Sequence, residues 1–157
     1  MSYALQPLLR IRTMREDHAS VELSAARREL AAAEEALAAR RRDLAAYEET
    51  KEERRDRIYD AIMGVAVSRD QIDLANEGVA RIDEEGALKA DNVARAEGER
   101  RKREEETVAA RRNFALAMRN RMKIDEHKSI WLEIEAAEEE HQAECELEDF
   151  IVRKPEI

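Results

Sequence analysis

The sequence contains few of the residues that interrupt helices or fill a compact core. Its 157 residues include one cysteine, two prolines, four glycines and only 4% aromatic residues. A single cysteine cannot form an internal disulfide, which excludes a disulfide-stabilised fold and indicates a reducing compartment. The composition also excludes a β-sandwich and a nucleotide-binding α/β domain. It disfavours an enzyme, because an enclosed pocket needs a thick apolar core.

Long apolar runs are missing as well. No run approaches the roughly 18 residues that a membrane span needs, and the residues after Met1 do not resemble a signal peptide. We therefore expect a soluble, intracellular protein that does not insert directly into a membrane.

Helix-forming residues dominate what is present. Ala, Glu, Arg, Leu and Lys account for 94 of the 157 residues, more than the roughly 50% typical of coiled coils and long helices. The net charge is −9, and it is unevenly distributed. Residues 130–157 carry ten acidic residues but only Arg153 and Lys154 as bases, whereas Arg10, Arg12 and Arg15 precede the first acidic residue. One terminus is therefore basic and the other acidic.

Apolar residues recur with the spacing of a coiled coil. Between Pro7 and Pro155 no proline interrupts a helix. The alternating spacing of three and four residues predicts two narrow, alanine-rich seams. The first consists of Leu23, Ala26, Leu30, Ala33, Leu37, Leu44 and Tyr47, and the second of Ile72, Ala75, Val79, Ile82, Val93 and Ala96, with interruptions at Gly86 and Lys89.

An uncharged segment at residues 61–68 separates the two seams. Gly64 can adopt the left-handed conformation that ends a helix, and Ser68 with Gln71 forms the pattern of a capping box. These signals predict helix 1 at about 5–63, a tip at about 64–68 and helix 2 at about 69–151. One unbroken rod remains the alternative, because the heptad frame also continues through the tip.

The predicted fold is therefore all-α: an antiparallel two-helix coiled-coil hairpin with a longer C-terminal helix. We expect residues 1–157 to form a single elongated, monomeric hairpin in which the numbers of paired positions sum to about 132. Residues from about 125 to 151 then have no partner in the first helix, so they must overhang, fold back or bind something else.

No pattern indicates catalysis, a cofactor or a metal. His141 and Cys145 lie four residues apart, but two ligands do not make a structural zinc site. The basic runs at 40–42 and 100–103 lie among acidic residues without aromatic stacking platforms. They therefore indicate solvated coiled-coil faces rather than a nucleic-acid interface.

Two regions are candidates for partner binding. Apolar residues at a loop favour a docking point, although an ordinary tight turn is the alternative. The candidate tip residues are Ile62, Met63, Gly64, Val65 and Val67. The candidate residues at the terminal end are Leu8, Leu9, Arg10, Arg12, Arg15, Trp131 and Phe150; the alternative for the arginines is that they only keep the helix soluble.

Three segments resemble a known family. They are Leu5-Gln-Pro-Leu-Leu-Arg-Ile-Arg12 with the following Arg15-Glu-Asp17, the tip motif Tyr59-x-x-Ile-Met-Gly-x-x-Val67, and Trp131 with the glutamate-rich stretch ending Glu148-Asp-Phe150. Together they resemble the type III secretion central-stalk proteins of the YscO/SctO family.

The resemblance implies a helical hairpin like that of the flagellar FliJ protein and the γ stalk of rotary ATPases. It implies a non-catalytic protein in the pore of the hexameric secretion ATPase, linked to the cytoplasmic ring of the export gate and able to bind escort chaperones. Such a protein would be cytoplasmic and peripherally associated with the secretion apparatus at the inner membrane. The alternative function is a generic structural or scaffold coiled coil without an ATPase partner.

Overall fold

A computed structural model describes residues 2–152, and two long helices account for nearly all of them. Helix α1 spans Gln6–Asp60, with 55 residues, and helix α2 spans Arg69–Val152, with 84 residues. The described part of the chain contains no β-strand. The predicted all-α helical hairpin with a longer second helix is confirmed. Neither helix holds a stretch long and apolar enough to cross a membrane within residues 2–152.

The chain divides into two compact units. The tip unit is Ser24–Ala109, and the terminal unit comprises residues 2–23 and 110–152. In the tip unit, Lys89 Nζ lies 2.9 Å from Asp43 Oδ2 and Arg103 Nη1 lies 2.6 Å from Glu29 Oε2. Both pairs join α1 to α2, and the residue numbers of each sum to 132. The antiparallel register predicted from the sequence therefore holds in this unit.

Alanine and branched apolar side chains form the seam of the tip unit. Its buried members are Ala33, Leu37 and Tyr47 on α1 and Ala75, Val79 and Ile82 on α2, all of which belong to the predicted stripes. Ile72, the first member of the second stripe, is instead 42% exposed. Polar groups flank the seam: Arg41 donates a hydrogen bond to Glu97 at 2.7 Å and thereby lowers the pKa of that carboxyl.

The interpretation of Gly86 and Lys89 as interruptions of the seam was wrong. Gly86 is buried, and a Cβ atom there would lie 2.9 Å from Cε1 of Tyr47, so the missing side chain makes room for the tyrosine ring. The Tyr47 hydroxyl donates a hydrogen bond to the carbonyl oxygen of Ile82. Lys89 Nζ lies 5.8 Å from the centroid of the same ring, within the range of a cation–π contact.

The turn between the helices has the chemistry that the sequence predicted. Gly64 has a φ of +76°, a conformation that other residues adopt only with strain. At the start of α2, the backbone nitrogen of Ser68 donates to Gln71 Oε1 at 2.8 Å. The Gln71 nitrogen donates to Ser68 Oγ at 3.3 Å. This reciprocal capping box satisfies backbone groups that the first turn of a helix leaves unpaired.

Removing the cap should weaken the turn measurably. We expect Ser68→Ala to lower the free energy of unfolding by about 1 kcal/mol, as measured by urea denaturation followed by circular dichroism. Ser20→Ala is the matched control, because Ser20 is exposed within α1 and alanine favours the helix there. Equal losses for the two variants would show that the cap does not stabilise the turn.

Candidate docking surfaces

The predicted tip residues lie mostly at the surface. Met63 is 72% exposed and Val65 is 64% exposed, while Ile62 and Val67 are half-buried. Gly64 permits the turn that presents them. Covering exposed apolar side chains with a partner lowers the free energy of the complex, so this turn is suited to docking.

A shallow apolar groove of about 550 Å³ lies beside the turn. We call it the tip groove; its apolar lining includes Ile58, Ala61, Ile62, Val65, Val67, Leu74 and Ala75. Gly78 also lines it, where a Cβ atom would lie 3.2 Å from Cδ1 of Ile58, so the glycine makes room for that side chain. Leu74 is 71% exposed. The tip candidates predicted from the sequence do not include Leu74 or Ile58. The available signal was that Leu74 is a leucine outside the seam pattern.

The terminal unit contains an aromatic cluster that the sequence analysis missed in part. Tyr3, which precedes α1, is buried, and its hydroxyl lies 2.8 Å from Nδ1 of His127. The Tyr3 ring lies 5.4 Å from the Trp131 ring, measured between centroids. Residues from about 125 onwards were expected to have no partner in the first helix, and His127 and Trp131 instead contact Tyr3 outside that helix. Their partner belongs to the segment before α1, which heptad counting does not cover.

The three N-terminal arginines remain available at the surface. Arg10 and Arg15 are exposed and Arg12 is half-buried, and no ion pair within residues 2–152 involves them. The neighbouring Glu16 instead accepts a hydrogen bond from Arg121 of α2, which raises the pKa of that guanidinium. Glu16, the acidic residue nearest to these arginines in the sequence, is thus already paired with Arg121.

The remaining terminal candidates are dispersed rather than gathered in one site. Leu9 is buried and Leu8 is half-buried, so both belong to the packing of the unit. Phe150 is 77% exposed. It follows Trp131 by nineteen residues on the same helix, which corresponds to about 28 Å. The structure therefore does not bring these two aromatic residues together.

The pair of His141 and Cys145 has no further metal ligand beside it in the described part of the chain. His141 Nε2 and Cys145 Sγ lie 3.8 Å apart, but no group of three side chains that could hold a metal ion occurs in the described part of the chain. What the structure offers is an apolar turn in one unit and three arginines near the start of α1 in the other.

Comparisons with known proteins give these surfaces a context. The family model described as Type III secretion protein YscO matches residues 5–153. No curated protein matches the sequence. Among solved structures, the chain is similar to a protein described as a YscO homologue, CT670 from Chlamydia trachomatis, with a TM-score of 0.76 and 19% identity. The similarity covers 96% of this chain and 92% of that one and concerns the fold. Because the family model covers nearly the whole sequence, this chain belongs to the YscO family of type III secretion proteins.

Proposed function

We propose that this protein is the non-catalytic central stalk of a type III secretion system. In this role it sits in the pore of the hexameric secretion ATPase and links the ATPase to the cytoplasmic ring of the export gate. The observation that carries the proposal is that a YscO-family helical hairpin exposes an apolar groove at its turn. A single elongated hairpin would suit this role. We expect it to be cytoplasmic and peripherally associated with the secretion apparatus at the inner membrane.

The two candidate surfaces suit different partners. The tip groove is shallow and mostly apolar. It therefore favours docking to the export gate, because a partner that covers the groove removes apolar surface from water. The exposed Arg10 and Arg15 and the half-buried Arg12 favour contacts with acidic loops of the ATPase ring. Dispersed charges tolerate several registers better than tight pockets do, which matters when two helices meet a six-fold ring. Escort chaperones are further candidate partners of the same surfaces.

ATPase measurements test the contact through the N-terminal arginines. We expect the wild-type protein to stimulate the purified ATPase at low salt and to do so less at high salt, because salt screens exposed charges. Reversing the exposed charge of Arg10 and the half-buried charge of Arg12, with ion pairs of this kind worth up to about 1 kcal/mol each, should raise the stalk concentration needed for half-maximal stimulation by about tenfold or more. The variant is Arg10→Glu/Arg12→Glu.

Arg27→Glu/Arg28→Glu is the matched control for this experiment. It reverses two exposed charges on the same helix outside the terminal unit, and we expect it to stimulate almost as well as the wild type. Equal stimulation by all three proteins would remove the electrostatic contact. Absence of stimulation and of binding by the wild type would favour a scaffold coiled coil without an ATPase partner.

A further inference from the structure

The last turns of α2 carry an apolar stripe that the structure leaves uncovered. We call it the C-terminal stripe; it consists of Leu132, Ala136, Ala143, Leu147, Phe150 and Ile151, which share one face of the helix and are interrupted there by Glu139 and Glu140. Every member is exposed, with Leu147 at 64% and Phe150 at 77%. An amphipathic helix with an open apolar face gains stability when another surface covers that face.

The charges of the same segment are unfavourable in isolation. Residues 132–151 contain nine acidic residues and no lysine or arginine. Glu140, Glu144 and Glu148 follow one another at intervals of four, where like charges repel on a helix. The last turn of α2 contains no base, and the next bases in the sequence, Arg153 and Lys154, come only after Val152. The segment therefore calls for a basic, partly apolar partner.

A surface of that chemistry lies in the terminal unit. A shallow depression of about 280 Å³ runs between α1 and α2. Its lining includes Arg12, Arg15, His18, Asn113, Leu116 and one acidic residue, Glu22, whose Oε1 lies 3.6 Å from His18 Nδ1. Ile11 and Met14, with Arg15 and His18, line a second depression that continues the first. We call the two together the terminal groove. Its arginines suit glutamates, and its exposed Leu116 and Met14 suit apolar side chains.

The stripe cannot enter the groove of its own chain. Helix α2 is unbroken from Arg69 to Val152, and residues 113–120 of that helix form one wall of the groove. To reach the groove, residues 132–151 would have to break the helix and reverse direction. A second molecule has no such constraint.

We propose that two copies of this chain associate, each placing its C-terminal stripe in the terminal groove of the other. Charge complementarity specifies the second copy. Residues 6–23 and 110–131 carry nine bases and five acids, a net charge of +4, against −9 for residues 132–151. The exchange is reciprocal, so it closes as a two-fold dimer and does not propagate. It replaces the monomer expected from the sequence, and it does not rest on the proposed stalk function. Because Arg12 and Arg15 line the groove, the dimer and the proposed ATPase contact compete for the same arginines, and the ATPase must displace the second copy.

Light scattering on the purified full-length protein tests the dimer. We expect the mass of a dimer at about 0.05 M salt and that of a monomer at about 0.5 M salt, because the attraction is largely electrostatic. Leu147→Asp should raise the dissociation constant about tenfold or more, because it places a charge in an apolar contact. Cys145→Asp is the matched control: it adds the same charge on the opposite face of the same helix and should change the constant little.

Cross-linking tests which surfaces meet. Two proteins that both carry Cys145→Ser, one with Ala143→Cys and the other with His18→Cys, are mixed and treated with a short bis-maleimide. We expect a mixed cross-linked species at low salt and none when the second protein carries Met63→Cys in place of His18→Cys.

A monomer at low salt would overturn the proposal and assign the groove to another protein. A dimer that Leu147→Asp and Cys145→Asp weaken equally, or that cross-links equally well through the tip, would also overturn it.

Discussion

We expect cells that carry Met63→Asp to lose most of their type III secretion. The purified variant should keep nearly the melting temperature of the wild type. Met63 is 72% exposed in the turn, so the substitution removes little buried surface. Met63 lies in the exposed turn next to the tip groove, and an aspartate in an apolar contact should cost at least about 2 kcal/mol of binding free energy, which is roughly thirtyfold in affinity for the export gate. The measurements are secretion in cells, binding to the purified export-gate ring and thermal unfolding.

Two further substitutions sharpen this experiment. Val108→Asp is the control, because it adds the same charge at an exposed apolar position of α2 outside the turn; we expect near-normal secretion. Val67→Asp should also weaken docking, but it should lower the melting temperature more, since Val67 is half-buried and lines the tip groove. Normal secretion by Met63→Asp, or a melting temperature many degrees lower, would contradict the role of the tip as a docking surface.

The largest loss of stability should come from Tyr47→Ala. Its ring is among the most buried side chains of the tip unit and packs directly on the backbone of α2 at Gly86. Truncating a buried aromatic side chain typically costs about 3–5 kcal/mol. Tyr47→Phe should cost about 1 kcal/mol, because it removes only the hydrogen bond to the Ile82 carbonyl. Leu88→Ala, at an exposed position of α2, is the control and should change stability little.

A double-mutant cycle between Tyr47 and Gly86 tests the contact itself. Gly86→Ala should destabilise the wild-type protein, since the added Cβ would lie 2.9 Å from the Tyr47 ring. In the Tyr47→Ala background the same substitution should stabilise by up to about 1 kcal/mol, because alanine is the better helix former and the ring is gone. Urea denaturation of the four proteins measures both effects. An effect of the same sign in both backgrounds would show that Gly86 does not accommodate the ring.

Several features of the fold were predictable because they depend on short-range patterns. The heptad positions of Leu37, Ala33 and Tyr47 indicated which side chains the seam buries, and all three are buried. The capping box at Ser68 and the left-handed glycine at Gly64 are encoded within four residues, so they are recognisable without tertiary information. The family resemblance also depended on local motifs, and the family model confirms it.

Contacts between distant segments were not predictable in the same way. The role of Gly86 depends on a tyrosine 39 positions earlier in the sequence, and a pattern of apolar residues counts a glycine as a gap. Tyr3 lies before the first helix, so no periodicity related it to His127 or Trp131. The tip groove includes Leu74, which lies outside the seam. In each case the property belongs to a pair of surfaces and not to one segment.

The sequence by itself determined that this protein is helical, where its chain turns and to which family it belongs. Helix propensity, heptad spacing and capping are properties of neighbouring residues, so composition and order are sufficient to specify them. Only the tertiary structure decided that Gly86 and Lys89 are part of the packing around Tyr47 and that Arg12 and Leu116 share one groove. The physical reason is that packing depends on the lateral register of two helices, which brings together residues far apart in the sequence.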